Sequence, residues 1–102
     1  MGVVRHAAVA GQFYQNDAVN LRSTIETYLA DVSTGFIGIP KALIAPHAGF
    51  VYSGPIAASA FATLKPIRDK ISRVILLGPC HRVAVQGLAL SEADAFETPL
   101  GE

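Results

Sequence analysis

The 102-residue sequence predicts an α/β fold: a mostly parallel or mixed sheet that contains a βαβ unit and carries flanking helices. Three observations predict it. Ala42-Leu43-Ile44-Ala45 and Val74-Ile75-Leu76-Leu77 are unbroken apolar runs, the pattern of strands buried on both faces of a parallel sheet. Both runs stop alike, one at Pro46 and the other at Gly78-Pro79. The roughly 30 residues that separate them leave room for one crossover helix, and such a crossover is right-handed.

The elements follow in order. Asn16 or Asp17 can cap a first helix reaching about Val32, because Leu21, Ile25, Tyr28, Leu29 and Val32 recur at helical spacing while Arg22 and Glu26 lie off that stripe. Residues 33–40, with Gly35 and Gly38, read as a loop. After the first strand, residues 47–52 lead to Ser53-Gly54-Pro55. There Ser53 or Gly54 can serve as N-cap and Pro55 takes the first helical position. This second helix runs to about Leu64 and stops before Pro66. Its Ala57, Ala58, Ser59, Ala60 and Ala62 have little bulk, so its backbone can lie close to a sheet or another helix. Beyond the second strand, residues 83–90 read as one or two shorter extended segments and residues 91–102 as a polar, turn-like tail.

Composition narrows the function. The chain is 51% hydrophobic and 16% charged, against about 25% charged in an ordinary soluble domain. That imbalance predicts an apolar face that is covered, by a partner or by the rest of a longer domain. Eight basic and eight acidic residues give a formal net charge of +0 with no block of like charges, so the electrostatic footprint of a nucleic-acid binder is absent. No apolar run approaches the roughly 20 residues of a membrane span. Residues 7–10 are too short for the apolar region of an export signal, and Gln12 interrupts them. The single Cys80 cannot form an intrachain disulfide, which fits a reducing compartment, and a cytoplasmic protein is expected.

The candidate site lies beyond the carboxyl ends of the two strands, where open α/β sheets bind ligands. His47 follows the first strand and His81 the second, so both leave the same sheet edge and their imidazoles can converge. A pair of neutral imidazoles suits Fe, Cu or Zn, and either ring can instead move a proton near neutral pH. Cys80 is a rival ligand, because it occupies the register equivalent to His47; a small packed residue is its plainer reading. His6 has no such context and reads as structural or exposed. A helix N-terminus near Pro55 would favour an anionic ligand group. Tyr52 and Ser53 can add hydroxyl contacts, or pack and cap. Gly49 and Gly54 are either turn requirements or places where a substrate approaches the backbone. Asp94 and Glu97 are the nearest carboxylates for completing a two-His-one-carboxylate set, with a solvated loop as their plainer reading.

Five motifs occur together: Ala10-Gly11-Gln12-Phe13-Tyr14, Ala45-Pro46-His47-Ala48-Gly49-Phe50-Val51-Tyr52-Ser53-Gly54-Pro55, Leu77-Gly78-Pro79-Cys80-His81, Ala89-Leu90-Ser91, and Thr98-Pro99-Leu100-Gly101. In this order they resemble the N-terminal portion of the Memo family, and the long motif around His47 is the specific one. The resemblance implies a fold related to the LigB-type class III extradiol dioxygenases, which use non-haem Fe(II). It also implies a pocket whose two histidines fall on His47 and His81, with a cysteine from the C-terminal portion as the third residue. Metal binding, copper or iron, and redox activity are associated with animal members, and phosphopeptide binding has been proposed for them. Dioxygenase activity does not follow from a shared fold. Family members are substantially longer, so the resemblance makes residues 1–102 a single partial domain, the N-terminal portion of a longer one. Its expected cover is its own C-terminal portion or a second copy. The expected function is a metal-binding, oxidoreductase-type pocket, and the alternative is a non-catalytic peptide- or phosphopeptide-binding module that uses the same crevice.

Overall fold

The computed structural model describes residues 2–33 and 38–102. It mixes helix and strand, in keeping with an α/β chain: β1 (Val4–Arg5), α1 (Ala18–Ala30), α2 (Phe50–Phe61), a 3-10 helix (Ala62–Lys70) and β2 (Ala95–Phe96). Of the loop expected over 33–40, residues 34–37 lie outside the described residues.

Helix α1 begins where a side chain can satisfy its first free donors. Asp17 is the N-cap, and its Oδ2 accepts from the Asn20 backbone N–H at 2.9 Å while Oδ1 accepts from Asn20 Nδ2 at 3.0 Å. The Asn20 backbone hydrogen bond, helped by the side-chain one, holds the Asp17 carboxyl below its ordinary range. At the far end the Asp31 N–H returns to the Thr27 carbonyl at 3.1 Å. The predicted stripe faces inward, with Leu21 buried and Ile25, Tyr28 and Leu29 half-buried.

Helix α2 starts earlier than expected. Its N-cap is Gly49, not Ser53 or Gly54, and Pro55 lies inside the helix rather than at its first position. The reason lies in two hydrogen bonds, one of them long-range. The Phe50 N–H donates to the Phe13 carbonyl at 2.8 Å, and the Ala48 N–H donates to Ser53 Oγ at 2.9 Å, so the 47–52 segment is already anchored and can begin the helical turn. Pro66 does not stop the chain from winding either. The helix tightens to 3-10 at Ala62, and there Lys65 Nζ donates to the Leu29 carbonyl at the end of α1 at 3.3 Å.

The core sits where α1 crosses α2. Leu21, Ala58 and Ala62 are its buried apolar residues, with Ser53 and Gly54 buried beside them. The small residues of α2 bring the helices together as expected. Gly54 marks the closest approach, since any side chain there would run into the Tyr28 ring.

The sheet differs most from expectation. Among the described residues, 42–45 and 74–77 form no ladder, and neither does 83–90. The ladder is instead β1 with β2, parallel, in the register Val4 to Ala95 and Arg5 to Phe96. Around it Asp94 Oδ2 accepts from the Val3 N–H, Glu97 pairs with His6 at 2.7 Å, and the Arg5 guanidinium lies 4.9 Å from the Phe96 ring centre. A strand of a parallel sheet needs a paired neighbour and cover on both faces; neither run is paired here, 42–45 is half-buried on one face only, and 74–77 is uncovered. Ile44 is 99% exposed, and Val74, Ile75, Leu76 and Leu77 are 74–89% exposed. The radius of gyration of 15.0 Å is correspondingly larger than the roughly 13 Å of a closed 100-residue domain.

Candidate functional site

His47 stands two residues before the α2 N-cap, and the chain is anchored just after it: the Ala48 N–H is tied to Ser53 Oγ and the Phe50 N–H to the 9–14 turn. That turn is itself closed, with Gly11 at a φ of 82° and its N–H on the Tyr14 carbonyl at 2.7 Å. A left-handed φ of this kind is what glycine supplies without strain. His81 lies in the loop after Gly78-Pro79, and every residue from 71 to 92 is exposed.

The two imidazoles meet. His47 Nε2 and His81 Nε2 are 3.2 Å apart, with ring centres 5.3 Å apart and planes at 33°. Two ligand nitrogens roughly 2.0–2.1 Å from one metal, in cis-octahedral or tetrahedral positions, are themselves about 2.9–3.4 Å apart. The observed separation falls inside that range, so the donor pair fits a metal ion. It fits equally a hydrogen bond in which one neutral ring donates and the other accepts.

The other sequence candidates are distributed around this pair. Ser53 and Gly54 form part of the wall of a cavity that reaches His47, whereas Gly49 and Tyr52 do not, and Tyr52 is 83% exposed. Ser53 does not cap α2 from its first position but accepts the Ala48 N–H from inside the first turn. Glycine at position 54 leaves room for the Tyr28 ring rather than for an approaching substrate. The dipole end of α2 lies at Phe50 instead of Pro55, and two of its donors are in use: the Phe50 N–H on the Phe13 carbonyl, and the Tyr52 N–H on Gly49 at 2.9 Å. Asp94 and Glu97 serve the β1–β2 ladder, and Glu97 engages His6. Cys80 is exposed. Among the described residues no third His, Cys, Asp or Glu joins the pair to make a set of three donors.

Residue-by-residue reading overlooked the cavity itself. It measures about 450 Å³ between α1, α2 and the 9–14 turn, and Phe13, Tyr14, Tyr28, Phe50 and Phe61 are in its wall. Those are five of the eight aromatic residues of the chain. The signal was present, since Phe13-Tyr14 and Phe50 sit in the two motifs nearest His47 and Tyr28 on the α1 stripe, but nothing in their spacing shows that they converge.

Comparison with known proteins supplies the context. The chain is 38% identical over 98 residues to Protein MEMO1 of Danio rerio, an alignment covering 96% of this chain and 32% of that protein. It is 38% identical to the memo-1 homolog of Caenorhabditis elegans, over 96% of this chain and 27% of that one. With a MEMO1 family protein of the archaeon Methanothermobacter thermautotrophicus it shares 37% identity, over 97% of this chain and 38% of the relative. The chain thus spans about a third of the length of these relatives. The family model for Memo-like proteins matches residues 5–102, nearly the whole sequence including both histidine motifs, and on that match the chain belongs to the Memo family.

Proposed function

We propose that His47 and His81 form a two-imidazole seat for iron or copper, in a protein of oxidoreductase type. The 3.2 Å separation of the two Nε2 atoms carries this reading. A bound iron or copper would supply redox chemistry or Lewis acidity at this point. The protein's own part is to present two neutral Nε2 lone pairs, which puts the remaining proton of each ring on Nδ1. Ser53 and the Phe13 carbonyl steady the His47 loop through the Ala48 and Phe50 N–H groups. Two donors leave further coordination positions to groups beyond them, and on the family resemblance one of these would fall to a cysteine of the C-terminal portion.

The same proposal treats the chain as the N-terminal portion of a longer cytoplasmic domain related in fold to the LigB-type dioxygenases. Its remainder, or a second copy, would cover the apolar runs at 42–45 and 74–77. Their exposure and the relatives' threefold greater length support this. Phosphopeptide binding in the crevice finds less support, because two donors of the α2 N-terminus are already engaged and no Lys or Arg lines the cavity.

Titration of Fe(II) and of Cu(II) into the protein and its His47→Ala and His81→Ala variants tests the metal seat. Each substitution should weaken binding at least tenfold, or about 1.4 kcal/mol. Unchanged affinity in both variants would overturn it.

A further inference from the structure

We propose that the cavity between α1, α2 and the 9–14 turn is a binding site for a compact, uncharged, apolar small molecule. The inference does not depend on the metal. At about 450 Å³ the cavity falls within the usual range of small-molecule sites, and it is roughly three times the ~150 Å³ that accepts a single benzene ring. Its occupant is therefore of one to three rings, or an acyl group of similar bulk.

The wall dictates the chemistry of that occupant. Among the described residues no Lys, Arg, Asp or Glu lines the cavity, so an ionised ligand would lose its hydration and gain no charged partner. Five aromatic side chains share the wall with aliphatic ones, and three of them brace one another: Phe50 lies 5.8 Å from Tyr14 at 45° and 6.1 Å from Tyr28 at 63°, tilted arrangements that aromatic pairs favour. Such a frame holds open a space that flexible aliphatic residues would fill. The polar points are few. Tyr14 and Tyr28 carry hydroxyls with no hydrogen bond among the described residues, and Ser53 Oγ accepts the Ala48 N–H while its own O–H has no acceptor among them. Phe13, His47 and Phe61 belong to the wall and are exposed, so the cavity opens to solvent along them, and an occupant at its His47 edge lies beside the imidazole pair.

Indole is a suitable probe, because the chain contains no tryptophan and indole emission can be excited at wavelengths where tyrosine does not absorb. All measurements contain EDTA, so failure of the metal seat leaves them unaffected. A saturable one-site blue shift of indole emission is expected, with indole-3-acetate binding at least tenfold more weakly. Ala57→Phe adds a ring to the cavity from α2 and Ala48→Phe adds one from the loop before it; each should weaken indole binding at least tenfold while the helical circular dichroism is retained. Should both variants unfold, displacement of indole from the unmodified protein by toluene decides the matter. The absence of a saturable shift, as when polypeptide fills the cavity in solution, would overturn the proposal. So would equal binding of the charged analogue, undiminished binding in folded filled variants, or failure of toluene to compete.

Discussion

Gly54→Ala provides a direct test of how α1 and α2 are held together, because two opposing effects set its sign. In a helix interior, alanine is favoured over glycine by about 1 kcal/mol. An exposed Gly54 would therefore make the substitution stabilising. Gly54 is buried, however, and a Cβ there would come within 3.0 Å of Tyr28 Cδ2 and Cζ and closer still to Cε2. The obstacle is an aromatic ring in edge contact with Phe50, not the free end of a flexible chain. Inserting a methyl group into such a contact costs about 1–3 kcal/mol, so the net loss is about 1 kcal/mol. For a chain of this size that corresponds to a fall in Tm of roughly 4–8 °C. Thermal unfolding followed by circular dichroism reads the change. Gly54→Ala combined with Tyr28→Leu should be more stable than the sum of the single changes predicts, because the second removes the ring that the first meets. A Gly54→Ala protein as stable as the parent, or more stable, would show that backbone approach at Gly54 does not set the helix spacing.

Other substitutions probe the remaining supports. Asp17→Ala removes the α1 cap and should lower Tm by a few degrees. Because hydrogen bonding to Asn20 lowers the folded-state pKa of Asp17, its contribution is full above the unfolded value and disappears as pH falls through the folded one. The Tm difference between parent and variant should thus be constant at neutral pH and close below about pH 4. Ser53→Ala removes the acceptor for the Ala48 N–H and should cost about 1 kcal/mol in urea unfolding. It should also weaken metal binding measurably, since the His47 loop loses an anchor; unchanged affinity would mean that the anchor does not orient the ring. Ile44→Lys and Ile75→Lys, at positions 99% and 89% exposed, should change the stability of this chain by no more than about 0.5 kcal/mol. A loss of several kcal/mol in urea unfolding would mean that these side chains are buried in solution.

The local signals were legible in the sequence and the long-range ones were not. The α1 cap and stripe were readable because Asp17, Leu21, Ile25 and Tyr28 act within one helix, where spacing alone assigns a face. The start of α2 was misplaced because the donors that fix it, Ala48 and Phe50, are satisfied by Ser53 from within the helix and by the distant Phe13. Ser53-Gly54-Pro55 is an adequate capping sequence, and tertiary contacts override it. Strands β1 and β2 escaped notice because two residues each, 91 positions apart, leave no periodic pattern to detect. The apolar runs at 42–45 and 74–77 were read as buried strands from composition, but a strand is completed by neighbours that composition does not provide.

The meeting of His47 and His81 therefore has a different physical basis from the one the sequence suggested. Neighbouring strands were expected to deliver both rings from one sheet edge, yet the rings meet although neither preceding run is paired. On the His47 side the position is secured by hydrogen bonds to Ser53 and Phe13, which belong to the packed helical part of the chain. On the His81 side, residues 72–90 make no hydrogen bond among the described residues other than the one between the two rings. The donor pair is thus half preorganised. A ligand that joins both nitrogens must itself order the 78–81 loop, at a cost of about 1–2 kcal/mol per residue fixed. Pairing of residues 74–77 with a neighbouring strand would meet that cost in advance. If the proposed metal seat forms, its affinity and strand pairing are coupled, so whatever covers the 74–77 run should also tighten metal binding.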